Sequence, residues 1–185
     1  MTDTALRDQL DPHSLKAAFG AFPSGVVAVA AQARGQLTGI AASSFTSVSL
    51  DPPLVSFSVA ASSKTWPLLR EAGHLGVSVL ADHHDDVCRQ LAGPHDQRFT
   101  GLPFRSTQDG AVLLDDAVAT FDCTIHQEIE AGDHLIVVLA LHRVSDGGGS
   151  SPLVFHRSGF KKLSADDLDQ TRLDGRINGK DVDVA

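Results

Sequence analysis

The sequence predicts a mainly β protein, an antiparallel barrel carrying a few short helices. Three observations point there. Short apolar runs rich in β-branched residues recur between turn residues, as in VVAVAA (26–31), LVSFSV (54–59) and LGVSVL (75–80). Several of the links between them are short enough for hairpins. The regular strand–helix alternation that a doubly wound sheet needs is absent.

Asp11 and Pro12 read as cap and first position of a helix through Leu15, Ala18 and Phe19, ended by Gly20 and the Phe22-Pro23-Ser24-Gly25 turn. Val26 to Ala31 forms a buried strand, and Arg34-Gly35-Gln36 turns the chain into a second one, Leu37 to Ala42. Val48 to Leu50 and Leu54 to Val59 flank an Asp51-Pro52-Pro53 turn, where the prolines cannot donate to a ladder. Thr65 caps a short helix, Trp66 to Glu71. Leu75 to Leu80 is a strand, and Asp82 caps a helix from His83 to Ala92 with Val87, Cys88 and Leu91 on one side.

Gly93 to Gly110 reads as a long irregular connection, and loops of that length in a compact domain are often functional. Strands follow at Val112 to Leu114, Ala117 to Glu130 and Leu135 to Val144, the last two joined by the tight turn Ala131-Gly132-Asp133-His134. DGGGSS (146–151) is a flexible loop, and Leu153 to His156 a final strand. The chain divides into one domain, 1–163, and a polar tail, 164–185, expected to be poorly ordered or to pack on a partner subunit.

Composition narrows the function. A net charge of −8 and a pI near 5.4 argue against a nucleic-acid partner, which needs a basic face. No apolar run reaches the length of a membrane span, and the N-terminus lacks a signal-peptide pattern. Two cysteines in no metal-like spacing, Cys88 and Cys123, fit a reducing compartment. The expected location is the cytoplasm.

The stretch Gly39 to Thr65 concentrates the chemistry. Ala41-Ala42-Ser43-Ser44 has side chains too small to keep a flat ligand from the backbone. Ser62-Ser63-Lys64-Thr65 offers hydroxyls, a lysine and the amides of a helix start, the elements of a phosphate cradle. Capping alone would explain one of those hydroxyls but not three beside a lysine. Together they suggest a planar cofactor bearing a phosphate.

Other motifs fail. Gly20 to Gly25 lacks the Lys-Ser/Thr of a P-loop, Gly147-Gly148-Gly149 precedes no helix, and there is no G-x-S-x-G elbow. His83-His84-Asp85-Asp86 has ligand types, but adjacent helical residues point apart, so it reads as an exposed helix start rather than a metal site. His74, His95, His126 and His142 read as surface or hydrogen-bonded histidines. His134, at the tip of a turn between two long strands, is placed to project toward a site.

Phe22-Pro23-Ser24-Gly25-Val26-Val27 and the run Gly39 to Leu54 resemble the flavin reductase family, the NAD(P)H:flavin reductase components of two-component monooxygenases. Ser63-Lys64-Thr65, Arg98-Phe99, Gly132-Asp133-His134 and Pro152 to Phe160 match in the same order, over roughly residues 12 to 163. The resemblance implies an FMN-binding split β-barrel, antiparallel and Greek-key-like, working as a homodimer. It also implies hydride transfer from NADH or NADPH to FMN or FAD, with reduced flavin passed to a partner monooxygenase.

Carried over by position, Ala41, Ala42, Ser43 and Ser44 lie along the flavin edge, and Ser62, Ser63, Lys64 and Thr65 hold its phosphate. Arg98 and Phe99 close the site, His134 contacts the nicotinamide, and His156 to Phe160, with Phe160 itself, border the pocket. Where the family commonly has Thr-Ala-(Ser/Asn)-Ser, this chain has Ala41-Ala42-Ser43-Ser44, one hydroxyl fewer. Positioning two rings is the main task of such a site, and the cofactor carries the reactivity. Two other readings stay open: a resident FMN flavoprotein with its own substrate, and a protein that binds flavin without catalysis.

Overall fold

A computed structural model describes residues 10–147 and 150–163. The predicted C-terminal tail lies outside the described residues. Asp11 caps α1 (Pro12–Phe19) as expected, its carboxylate accepting from the amides of His13 and Ser14. Hydrogen bonding from Ser14, its side chain first and then its amide, holds the Asp11 carboxyl below its usual value.

The centre is a seven-stranded antiparallel sheet. Its strands are β2 (Val27–Ala33), β3 (Gln36–Ala42), β4 (Thr46–Leu50), β5 (Pro53–Ala60), β6 (Leu75–Val79), β9 (Ala119–Ala131) and β10 (His134–Asp146). In space they run β3-β2-β6-β9-β10-β5-β4. Three hairpins, β2–β3, β4–β5 and β9–β10, supply the local pairings. Bulges at Val138/Leu139 and Leu141/Arg143 bend the longest ladder. A small sheet of β1 (Ser24–Gly25), β11 (Val154–His156) and β12 (Gly159–Lys161), and a hairpin of β7 (Phe104–Ser106) with β8 (Val112–Leu114), cover the rest.

The inward faces make a core of Val27, Val29, Val55, Phe57, Leu75, Val77, Val137 and Leu139, sealed at one end by Trp66 and Leu69. Trp66 meets Phe57 edge to face at 5.6 Å and donates its indole N–H to Glu128 Oε1 at 2.7 Å, so its polar end is satisfied while its ring is buried. Cys123 lies in the same core, where burial pushes its thiol up to about 12. A second cluster, with Val26, Leu80, Leu91, Leu114 and Leu153, packs α3 (Asp85–Leu91) against the barrel.

The sheet curls until β3 meets β5. Ser44 makes the join: its Oγ accepts from the Ser58 amide at 2.8 Å and donates to the Ser58 carbonyl at 3.2 Å. Ser44→Ala should therefore cost about 1 kcal/mol, the usual net worth of such hydrogen bonds, seen as a lower urea midpoint with unchanged m. An unchanged midpoint would mean that the join is held by packing alone.

Several sequence expectations need correction. Thr65 occupies the cap position of α2 (Trp66–Leu69), but its hydroxyl does not cap; Ser63 Oγ accepts the Trp66 amide instead. Asp82 does not cap the next helix, which starts later, at Asp85, with His84 in the cap position. His84 Nδ1 accepts the Ala81 amide at 3.1 Å, so the buried ring is neutral, and burial lowers its pKa. The Gly93–Gly110 connection is not structureless. It holds a 3-10 turn at His95–Gln97 and the strand β7, because Gln90 Nε2 donates to the carbonyls of Gln97 and Thr100 and pins the segment. His134 begins β10, paired with Ala131 and Ala60, rather than standing at the turn's tip.

Candidate functional site

β3 is an edge strand in the ladder and leaves one row of backbone groups without a strand partner. The Gly39 carbonyl belongs to that row, because it accepts from Arg98 NH1 at 2.8 Å. In an antiparallel strand the two polar groups of one residue share a side and alternate along the chain. Ala41 therefore presents its amide and carbonyl the same way as Gly39. The small side chains of Ala41 and Ala42 leave that row approachable, as the sequence implied.

Beside it lies a groove of about 510 Å³, lined by Ile40, Ala41, Ala42, Ser43, Ser44, Ser58, Val59, Ala60, Ser63 and His134. That volume is within the range of about 300–1,000 Å³ typical of small-molecule sites. The structure thus brings together β3, the end of β5, the hydroxyl cluster and the start of β10. Ser58, Val59 and Ala60 were not singled out from the sequence. The run reads simply as a buried strand, and only the curl of β5 against β3 turns its end toward the groove.

His134 Nδ1 lies 2.7 Å from Asp133 Oδ1. A carboxylate only accepts, so Nδ1 carries the proton and Nε2 stays open for a ligand. That hydrogen bond and the charge of His134 hold the Asp133 carboxyl below its usual value.

The hydroxyl cluster is assembled differently from a helix-start cradle. The Trp66 amide is taken by Ser63 and Pro67 has none, so α2 offers no free amides there. The cation comes from far away in sequence. Arg98 donates through Nε to the Gly93 carbonyl at 2.9 Å, and through NH1 to Gly39 O and to the buried Thr65 Oγ1, both at 2.8 Å. A guanidinium is thereby fixed beside Thr65, next to Ser63. Ser62 and Lys64 are exposed at the rim.

Two expected members border this groove without being among its lining residues. Phe99 does not line this groove. Its ring packs over Gly39, where a Cβ would lie 2.7 Å from the ring tip, and meets Phe104 edge to face at 6.1 Å. Phe160 lies on the other side of Ala41–Ser43. It lines a small apolar pocket of about 170 Å³ that shares Ala41, Ala42 and Ser43 with the groove and adds Val26, Cys88, Ala92 and Phe155, and the Arg89 guanidinium sits 4.9 Å over its ring.

Of the histidines, His74 donates to the buried Asp122 at 2.6 Å and His142 shares a 2.8 Å hydrogen bond with Thr124, consistent with the structural roles expected of them. His74, Asp109 and Asp122 converge, but Arg143 already binds both carboxylates, at 3.2 and 3.6 Å, and occupies the place of a cation.

Residues 19–164 match the family model described as Flavin reductase like domain. Over 161 residues the chain is 38% identical to a flavin reductase of Pseudomonas putida, covering 86% of this chain and 95% of that protein. It is 36% identical over 137 residues to the reductase component of a flavin-dependent trigonelline monooxygenase of Acinetobacter baylyi, matching 74% of this chain but only 44% of that longer protein. The NADH:FAD oxidoreductase SgcE6 of Streptomyces globisporus, solved with NAD and FAD fragments, superposes with a TM-score of 0.81 at 31% identity, over 88% of this chain and 98% of the other. With a split barrel of this topology and a family match over most of its length, the chain belongs to the flavin reductase family.

Proposed function

We propose that the groove beside β3 holds a flavin, and that the chain reduces it with a reduced nicotinamide dinucleotide and passes it to a separate flavin-dependent monooxygenase. One observation carries the reading. Arg98 is brought to the hydroxyl cluster and to the open edge of β3 at the same point, so an anion holder and a backbone rim for a flat ring adjoin. The family relation supports the reaction, and a relative that is the reductase component of a monooxygenase supports the partner.

The bound flavin supplies the hydride-accepting chemistry. Ala41 and Ala42 admit the ring to the strand edge, where backbone groups meet its polar rim. Ser63, Thr65 and Arg98 hold the phosphate, with Ser62 and Lys64 at the rim, where Lys64 adds charge. Ser44 keeps the wall of the groove in place. His134, oriented by Asp133, presents Nε2 to the nicotinamide carboxamide. Phe99 packs over Gly39, and Phe160 borders Ala41, Ala42 and Ser43 from the adjoining apolar pocket.

Flavin as FMN or FAD, and NADH or NADPH as donor, complete the reaction. A homodimer fits the exposed Val48 and Leu50 on edge strand β4, Leu50 being 95% exposed. A cytoplasmic setting fits the free thiols of Cys88 and Cys123. No helix among the described residues is long and apolar enough to cross a membrane.

NADH oxidation by the purified protein, first without flavin and then with FMN or FAD, tests the reading. Turnover that rises and saturates with added flavin is expected. Turnover independent of added flavin in a yellow protein would mean a resident cofactor, and no turnover with either flavin would remove the reductase assignment. His134→Ala should raise the KM for the nicotinamide dinucleotide and lower kcat, together by about five- to tenfold in kcat/KM, without abolishing flavin binding. Wild-type kinetics in that variant would take His134 out of the site.

A further inference from the structure

β3 runs on past the flavin groove into a second space of ligand size. This cavity, about 530 Å³, is lined by Gly35, Gln36, Leu37, His95, Asp96, Phe99 and Thr100. Along the one strand, residues 36–37 face the cavity, Gly39 receives Arg98, and residues 40–42 face the groove. The open backbone row that includes Gly39 and Ala41 also includes Leu37. From Leu37 to Ala41 the strand rises about 13 Å at roughly 3.3 Å per residue. Two cavities therefore share a floor, with a guanidinium at their junction.

We propose that this cavity takes the adenosine half of a flavin dinucleotide, so that the protein prefers FAD to FMN. The inference rests on reading the groove as the flavin site. Charge decides what the cavity receives. Its lining includes the carboxylate of Asp96 and no lysine or arginine, so it is unsuited to a phosphate and suited to an uncharged nucleoside. The Phe99 ring and the His95 imidazole supply flat surfaces for a base. Gln36 and Asp96 supply hydrogen-bonding groups for its amine and for ribose hydroxyls. His95 is steadied by a 3.3 Å hydrogen bond with the buried Thr38 hydroxyl.

Arg98 then meets the pyrophosphate where it passes from groove to cavity. The same adenosine chemistry occurs in the nicotinamide dinucleotide. FAD is the better fit because its second phosphate continues directly from the flavin phosphate that Arg98 adjoins.

Calorimetric titration of the whole chain with FAD and with FMN, in the absence of nicotinamide, tests this. The wild type is expected to bind FAD at least tenfold more tightly than FMN, and AMP should compete with FAD but not with FMN. Thr100→Trp, a change at an exposed position that fills the mouth of the cavity, should weaken FAD at least tenfold and leave FMN within twofold. Should Thr100→Trp fail to fold, His95→Ala is expected to weaken FAD alone.

Equal wild-type affinity for the two flavins, or equal losses for both in the variant, would overturn the proposal while leaving the groove as the flavin site. A variant that raises only the KM for NADH, with either flavin, would also overturn it and give the cavity to the other dinucleotide. Failure of the wild type to bind either flavin would overturn the flavin reading itself.

Discussion

Gly76→Ala should lower stability by at least about 3 kcal/mol, at the upper end of what overpacking a core costs. A Cβ at Gly76 would stand 2.0 Å from the Val112 carbonyl oxygen and 2.9 Å from Leu113 Cδ2. The nearest obstacle is backbone, so no flexible side chain can swing aside. β6 cannot retreat either, because it is paired on both sides, with β2 and with β9. The strand that must move is β8, whose three residues are all buried. Lifting it exposes the core beneath and the β7–β8 hairpin with it. Urea unfolding should show a large fall in midpoint. Gly25→Ala, at a position with nothing within 4 Å, is the control and should change little. Equal midpoints for both variants and the wild type would mean that β8 does not pack on β6 as described.

That contact shows where local sequence signals stop. LGVSVL reads correctly as a strand, since its β-branched residues and turn boundaries are local signals. The reason for its glycine is not local, because Val112 approaches from a hairpin dozens of residues away. The same divide runs through the fold. Hairpin partners and the Asp11 cap follow from neighbouring residues, whereas the β2–β6, β6–β9 and β5–β10 pairings join strands distant in sequence. The closure of β3 on β5 through Ser44 and Ser58 does not follow from neighbouring residues either, and neither do the transfer of the α2 cap to Ser63 and the neutral His84 that replaces Asp82. In each of those cases a polar group met a better partner once the chain had folded.

The candidate site divides along the same line. Ala41 to Ser44 and the Ser62–Thr65 cluster are compact motifs whose residue types suggest a chemistry, while the role of His134 comes from the family resemblance. Arg98, which the resemblance made a residue closing the site, hydrogen-bonds a member of that cluster 33 residues distant. Phe99 and Phe160 both lie close to β3, Phe99 packed over Gly39 and Phe160 in a pocket that shares Ala41, Ala42 and Ser43 with the groove. Proximity along a strand fixes neighbourhood, while the alternation of faces decides which cavity a side chain enters.

Arg98→Ala should raise the Kd for FMN about 10- to 100-fold, since hydrogen bonds to charged groups are worth about 1.5–3 kcal/mol and each tenfold is about 1.4 kcal/mol. Arg98→Lys should recover only part of that. The guanidinium reaches Gly93 O with one nitrogen and Gly39 O and Thr65 Oγ1 with another, a forked set that a single ammonium cannot span. Two roles are mixed in this side chain, fixing the loop on β3 and holding an anion. Riboflavin, which lacks the phosphate, separates them. If Arg98 acts on the phosphate, the variant loses affinity for FMN and keeps that for riboflavin, and the dependence of FMN binding on salt becomes shallower. If Arg98 only fastens the loop, both ligands weaken together and the unfolding midpoint falls with them. The second result would move the phosphate to Lys64 and Ser62, whose exposed side chains are the remaining polar groups of the cluster.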